Sequence, residues 1–130
     1  MKIVALLLVL VFCLALTACS GPVKEVNDFA NAKDEVILEM GKKIEANPTE
    51  AGVDEARKVF ESKKEDLKAK SAVVRDKVKG SHGDLLTKLL DSSMSNDKAF
   101  NEIRKKVVGN NAADKKFTAL HGDFKEAVKY

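Results

Sequence analysis

The sequence predicts an all-α protein, a small and mainly antiparallel bundle of about four helices that follows an N-terminal segment of different character. Three observations lead there. Alanine, lysine, glutamate and leucine dominate, tryptophan is absent and β-branched alternation is scarce, so intrinsic propensity favours helix. Apolar residues recur at three- and four-residue steps, the period of one helix face. Three short clusters of cap and breaker residues, around Pro48, Gly80 and Gly109, divide the pattern into segments.

The first helix is expected over residues 23–46. Val23, Val26, Ala30, Ile37, Met40 and Ile44 form its stripe, Phe29 and Val36 widen it, and Lys33 interrupts it. Pro22 suits a first helical turn, where a missing N–H costs little. In Asn47-Pro48-Thr49-Glu50, Asn47 is the expected cap, Pro48 the first helical residue and Glu50 the acid that reaches back.

The second helix is expected to run to about Lys79. Val53, Phe60, Leu67 and Val74 stand seven apart, with Ala56, Val59, Val73 and Val78 beside them. Lys63 and Lys70 occupy the second seam, so the stripe suits packing on neighbours better than a free two-stranded coiled coil. Gly80 is the expected stop.

Ser81 and Asp84 then supply a second cap-plus-acid pair. Leu85, Leu86, Leu89, Leu90, Met94, Phe100, Ile103 and Val107 mark the third helix, with a kink or break expected in the polar stretch 91–97. Asn111 and Asp114 open the fourth helix, which carries Ala113, Phe117, Leu120, Phe124 and Val128 and leaves Tyr130 to fray. Phe29, Phe60, Phe100, Phe117 and Phe124 are assigned to the core, and short connections favour antiparallel neighbours.

The N-terminal segment has a separate logic. Lys2 gives a positive start, and the 14 residues Ile3 to Leu16 are apolar, too few for a spanning helix of ~20 residues. Leu16, the last of them, opens Leu16-Thr17-Ala18-Cys19. The segment resembles the signal peptide of bacterial lipoproteins, with Leu16, Thr17 and Ala18 as the signal-peptidase recognition residues. The resemblance implies cleavage before Cys19 and lipidation of Cys19, hence anchorage in a bilayer. It divides the chain into a signal peptide at 1–18, a lipidated terminus and short tether at 19–22, and a bundle domain at 23–130. Ser20, the residue after the cysteine, resembles the sorting signal for the outer membrane where the host has two membranes. The likeness to the major murein-linked lipoprotein stops at the signal. That family is one uninterrupted heptad helix ending in lysine, whereas Pro48, Gly80 and Gly109 interrupt this chain and it closes on Lys129-Tyr130.

Removing residues 1–18 takes away one charged side chain, Lys2, and lowers the formal net charge from +3 to +2. Cys13 goes with the signal and Cys19 takes the lipid, so neither is left for a disulfide. The basic runs at 63–64, 104–106 and 115–116 lie among acids and read as solvated helix faces. Without aromatic interleaving they do not suggest nucleic-acid binding.

His-Gly-Asp occurs twice, and its residues His82 and His121 are the two histidines of the chain. They are weak candidates for a metal or haem site, because neither belongs to a helical Glu-x-x-His or His-x-x-x-His pair. No nucleophile elbow or phosphate loop is present, so no enzyme and no cofactor is expected. The function expected is that of an envelope lipoprotein: a non-enzymatic binding or structural module for an envelope protein or cell-wall partner. An inhibitor or immunity lipoprotein against an envelope-acting toxin or hydrolase is the alternative, with a haem or metal carrier after it.

Overall fold

The computed structural model describes the backbone of residues 2–80 and 83–130 and the side chains of residues 23–80 and 83–130. It contains four helices: α1 (Lys2–Ala46), α2 (Glu50–Val78), α3 (Asp84–Val107) and α4 (Asn111–Ala127). The helix expected to begin at Val23 thus belongs to an element that starts at Lys2. Ser81 and His82 lie outside the described residues, and so does the cap assigned to Ser81.

The helices pair as α1 with α2, α1 with α3, α2 with α4 and α3 with α4. Three-residue connections fold α1–α2 and α3–α4 into antiparallel hairpins. The second hairpin then lies on the first with its helices in matching directions. Asp34 meets Asn96 and Glu45 meets Lys106 along α1 and α3. Asp54 meets Lys116 and Arg57 meets Asp123 along α2 and α4. The α2-to-α3 connection therefore crosses the bundle diagonally, through Gly80 at φ 78° and Gly83 at φ 70°. Positive φ suits glycine at both positions.

The caps shift from their expected places. Thr49, not Asn47, precedes the first residue of α2, and its hydroxyl donates to Asn47 Oδ1 at 2.7 Å instead of capping the helix. Pro48 consequently lies in the connection. At α4 the cap is Asn110, whose Oδ1 accepts from Ala113 N at 3.1 Å. Asp114 is thereby free to take a bidentate contact from Arg104, at 2.7 and 3.0 Å, closing the α3–α4 turn. Asn110→Ala is expected to cost about 1 kcal/mol in urea denaturation, and Asn111→Ala little.

The polar stretch 91–97 does not break α3, because its side chains serve interhelical contacts. Asn96 Nδ2 donates to Asp34 Oδ1 at 2.9 Å, Ser93 meets Tyr130, and Asp97 faces α4. Tyr130 lies past the end of α4, as expected, but it has packing partners. Its ring stands edge-on to Phe29 at 6.1 Å, and Lys129 O accepts from Ser71 Oγ at 2.6 Å.

All five assigned phenylalanines are buried, as are Val53, Leu67 and Val74 of the seven-residue series. The core has two parts. The larger joins Ile37, Met40 and Ile44 to Phe60, Phe100, Phe117, Leu120 and Phe124. The smaller joins Val26, Phe29, Val74 and Leu89. Lys33, Ser71 and Asn96, the buried polar side chains of α1, α2 and α3 among the described residues, fall between the two along every helix that carries them. A polar layer thus divides the bundle. Gly52 is buried where α2 passes the α1–α2 turn, and a Cβ there would collide with the Asn47 carbonyl oxygen.

Candidate functional site

Cys19, Leu16, Thr17 and Ala18 fall within α1, but their side chains lie outside those described. What is defined is the end of the bundle that the N-terminal segment meets. The smaller core cluster, with Val26 seven residues after Cys19, marks that end. Among the described residues, no helix is long and apolar enough to cross a membrane.

His121 is the sequence-assigned candidate that can be placed. α4 presents it half-buried against the side of α3, where its ring stacks on Phe100 at 4.1 Å between centroids and 13° between planes. Its Nε2 stands 3.4 Å from Asp97 Oδ1, outside hydrogen-bonding geometry. The same carboxylate oxygen takes Lys125 Nζ at 3.0 Å. Burial pushes the imidazole below its ordinary pKa, Lys125 adds to the shift, and Asp97 opposes it. For Asp97, burial pushes the carboxyl up, but Lys125 and His121 outweigh that and hold it below its usual range. Neutral imidazole is therefore favoured near pH 7. A cavity of about 280 Å³ opens beside the pair, lined by Asp97, Phe100, His121, Lys125 and Tyr130 among others.

His82 lies outside the described residues, and the pairing of His82 with His121 lies outside them with it. Among the described residues, no group of three or more His, Cys, Asp or Glu side chains is placed to hold a metal ion.

A second concavity, a groove of about 540 Å³, runs between α1 and α3. Ile37, Leu38, Gly41, Ala99 and Ile103 give it an apolar lining, and Lys42, Glu45, Glu102 and Lys106 bring charge to it. Gly41 packs closely on α3, since a Cβ on it would stand 3.2 Å from Ile103 Cδ1 and that side chain would have to give by a few tenths of an ångström.

Two features were not legible as sites in the sequence. Lys33 interrupts the α1 stripe, yet its side chain stays inside, 1% exposed, with its amine 4.7 Å from the centre of the Phe29 ring. Its position on the apolar register was the available signal. Leu86, Leu90 and Met94 read as core-facing residues of α3 but are 47%, 58% and 64% exposed. Only Leu89, Phe100 and Val107 of the eight apolar residues assigned to this helix are fully buried.

The described residues form a four-helix bundle that carries these two concavities, one beside His121 and one between α1 and α3. Comparison with known protein families, with curated proteins and with solved structures gave no match.

Proposed function

We propose that this protein is a lipid-anchored lipoprotein of the cell envelope, a non-enzymatic module that binds or supports another envelope component. The observation that carries the reading is Leu16-Thr17-Ala18-Cys19 at the end of a 14-residue apolar run, Ile3 to Leu16. A single acyl chain holds a protein to a bilayer only reversibly, and two or more make the attachment stable. The lipoprotein pathway attaches at least two, to Cys19. In a host with two membranes, Ser20 directs the protein to the outer one. Its partner is a membrane protein complex or a cell-wall polymer. Confinement to the membrane raises the effective concentration near such a partner, so a modest direct affinity suffices.

Cys19→Ala tests the anchor. The wild-type chain is expected in the membrane fraction with a mass increased by acylation at Cys19. The variant is expected in the soluble fraction, or retained with its signal segment uncleaved. A wild-type protein with an unmodified Cys19 thiol would falsify the reading. Crosslinking in cells, followed by mass spectrometry of detergent-solubilised complexes, tests the partner. An adaptor confined by its lipid loses its crosslinked partner in Cys19→Ala. An inhibitor that recognises a soluble enzyme directly retains it.

A further inference from the structure

We infer that the end of α3 nearest the anchor docks on the phospholipid bilayer itself, through an exposed apolar stripe of Leu86, Leu90 and Met94. The inference rests on the reading of Cys19 as the lipid anchor.

The stripe exists because α4 is short. Positions 97, 93, 90 and 86 follow one another at four- and three-residue steps and so share a face of α3. Asp97 on that face meets His121 and Lys125 of α4, and Ser93 meets Tyr130. There the chain turns inward, with Lys129 O bonded to Ser71 and Tyr130 set against Phe29. Leu90 and Leu86 continue the face beyond that point, exposed, with Met94 beside them. The 17 residues of α4 span ~26 Å and the 29 of α2 span ~44 Å, so the bundle narrows toward this end.

The exposed apolar side chains are not scattered. Eight large ones are exposed among the described residues, and six of them (Val23, Val73, Leu86, Leu90, Met94 and Tyr130) belong to the anchor-proximal part of the bundle. Isolated exposed leucines need no explanation, but a contiguous set does, and Leu86, Leu90 and Met94 follow one another at four-residue steps on α3.

Distance selects the occupant. Val26 and Leu89 belong to one core cluster and therefore lie at one level. Cys19 precedes Val26 by seven residues, ~10 Å of helix or at most ~25 Å of extended chain. Leu86 is three residues closer to that end than Leu89, another ~4.5 Å. With the acyl chains of Cys19 in the membrane, the stripe is within reach of the headgroup region, where amphipathic helices bury their apolar faces ~5–10 Å deep. Charge selects the mode. Lys24, Arg75, Lys77, Lys79 and Lys88 at this end are equalled in number by Glu25, Asp28, Asp76, Asp84 and Asp91. Attraction to anionic headgroups is therefore weak, and insertion of apolar side chains carries the contact.

The test uses the acylated protein purified from envelopes and placed in vesicles of equal parts phosphatidylethanolamine and phosphatidylglycerol with nitroxide-labelled acyl chains. An environment-sensitive fluorophore is attached in turn at Leu90→Cys, Leu86→Cys and, as the distal control, Leu38→Cys. All three sites are exposed, and thermal melting checks that each variant folds. Lipid quenching is expected to be several-fold stronger at 90 and 86 than at 38, with blue-shifted emission. It should change little with salt. Equal, weak quenching at all three sites in an acylated protein overturns the docking surface and leaves the anchor standing. Uptake of label by the wild-type thiol overturns the anchor reading, and the docking surface with it. Energy transfer between labels at 90 on two copies, without lipid quenching, assigns the stripe to a second copy and also overturns the inference.

Discussion

Replacing Lys33 with methionine is expected to stabilise the bundle by about 2–3 kcal/mol at pH 7, and the gain is expected to shrink above pH 8. Lys33 is almost wholly buried, and burial lowers its amine from 10.5 to about 8, while Asp34 pulls it upward. The Phe29 ring at 4.7 Å returns part of the cost of desolvation. Its layer also contains Ser71 and Asn96, which are uncharged. The unfolded chain keeps the Lys33 proton up to about 10.5, whereas the folded chain releases it near 8. Between those values the unfolded state binds more protons, so this group makes stability rise with pH. Below pH 8 both states are charged and the whole penalty is present. Above 10.5 both are neutral and it vanishes. Methionine fills a similar volume without a charge, which is why it is the informative substitution; alanine would add a cavity. Urea denaturation of both proteins at pH 7 and pH 10.5 checks this. The same gain at both pH values would show that the buried charge is not the source of the cost.

The layer around Lys33 also explains how the two hairpins come to lie in register. Asn96 to Asp34 joins α3 to α1, and Ser71 to Lys129 O joins α2 to the segment after α4. Each bond links one hairpin to the other. A slip of one hairpin along the other would leave these buried polar atoms without partners, which is more costly than sliding apolar surfaces. Buried polar groups used in this way trade stability for a defined register.

Periodicity was enough to read the helices and most of the core, because Val53, Phe60, Leu67 and Val74 or Phe117, Leu120 and Phe124 repeat at helical spacing whatever their neighbours. It could not tell which apolar residues lose their cover. Leu89 and Leu90 are adjacent leucines, yet one is fully buried and the other 58% exposed, because Leu89 faces Val26, Phe29 and Val74 of α1 and α2 while Leu90 lies on the face that α4 leaves uncovered. Cap chemistry was legible in kind but not in position. Asn110 and Asn111 are equally good caps in isolation, and the Arg104–Asp114 contact at the turn fits the helix that starts at Asn111. The diagonal step from α2 to α3 was also hidden. Short connections suggest adjacency, and only the polar contacts between hairpins reveal the stacking order. For the candidate site, His121 was legible as a residue, but its Phe100, Asp97 and Lys125 neighbours come from the pairing of α3 with α4.

That pairing yields the largest expected loss of stability. Phe100→Ala is expected to destabilise the bundle by about 4 kcal/mol, against roughly 5–15 kcal/mol for a whole domain of ordinary stability. Phe100 is 1% exposed, and its ring lies 5.0 Å from Phe124, 5.9 Å from Phe117 and 4.1 Å from His121. Phe124 in turn lies 6.0 Å from Phe60, so the cluster ties α3 and α4 to α2. Truncation removes the apolar surface of the ring and leaves a cavity that three helices cannot close together. Phe100→Leu keeps most of the volume and should cost about 1.5 kcal/mol. A second readout separates local from global effects. The His121 imidazole is held below its ordinary pKa chiefly by burial. Opening the Phe100 side admits water, so its pKa should rise toward 6.5 in Phe100→Ala and less in Phe100→Leu, followed by NMR titration of the folded protein. If stability falls while the His121 titration stays where it was, the cavity has closed by movement of α4. If neither changes, the ring cluster is not what holds the second hairpin to the first.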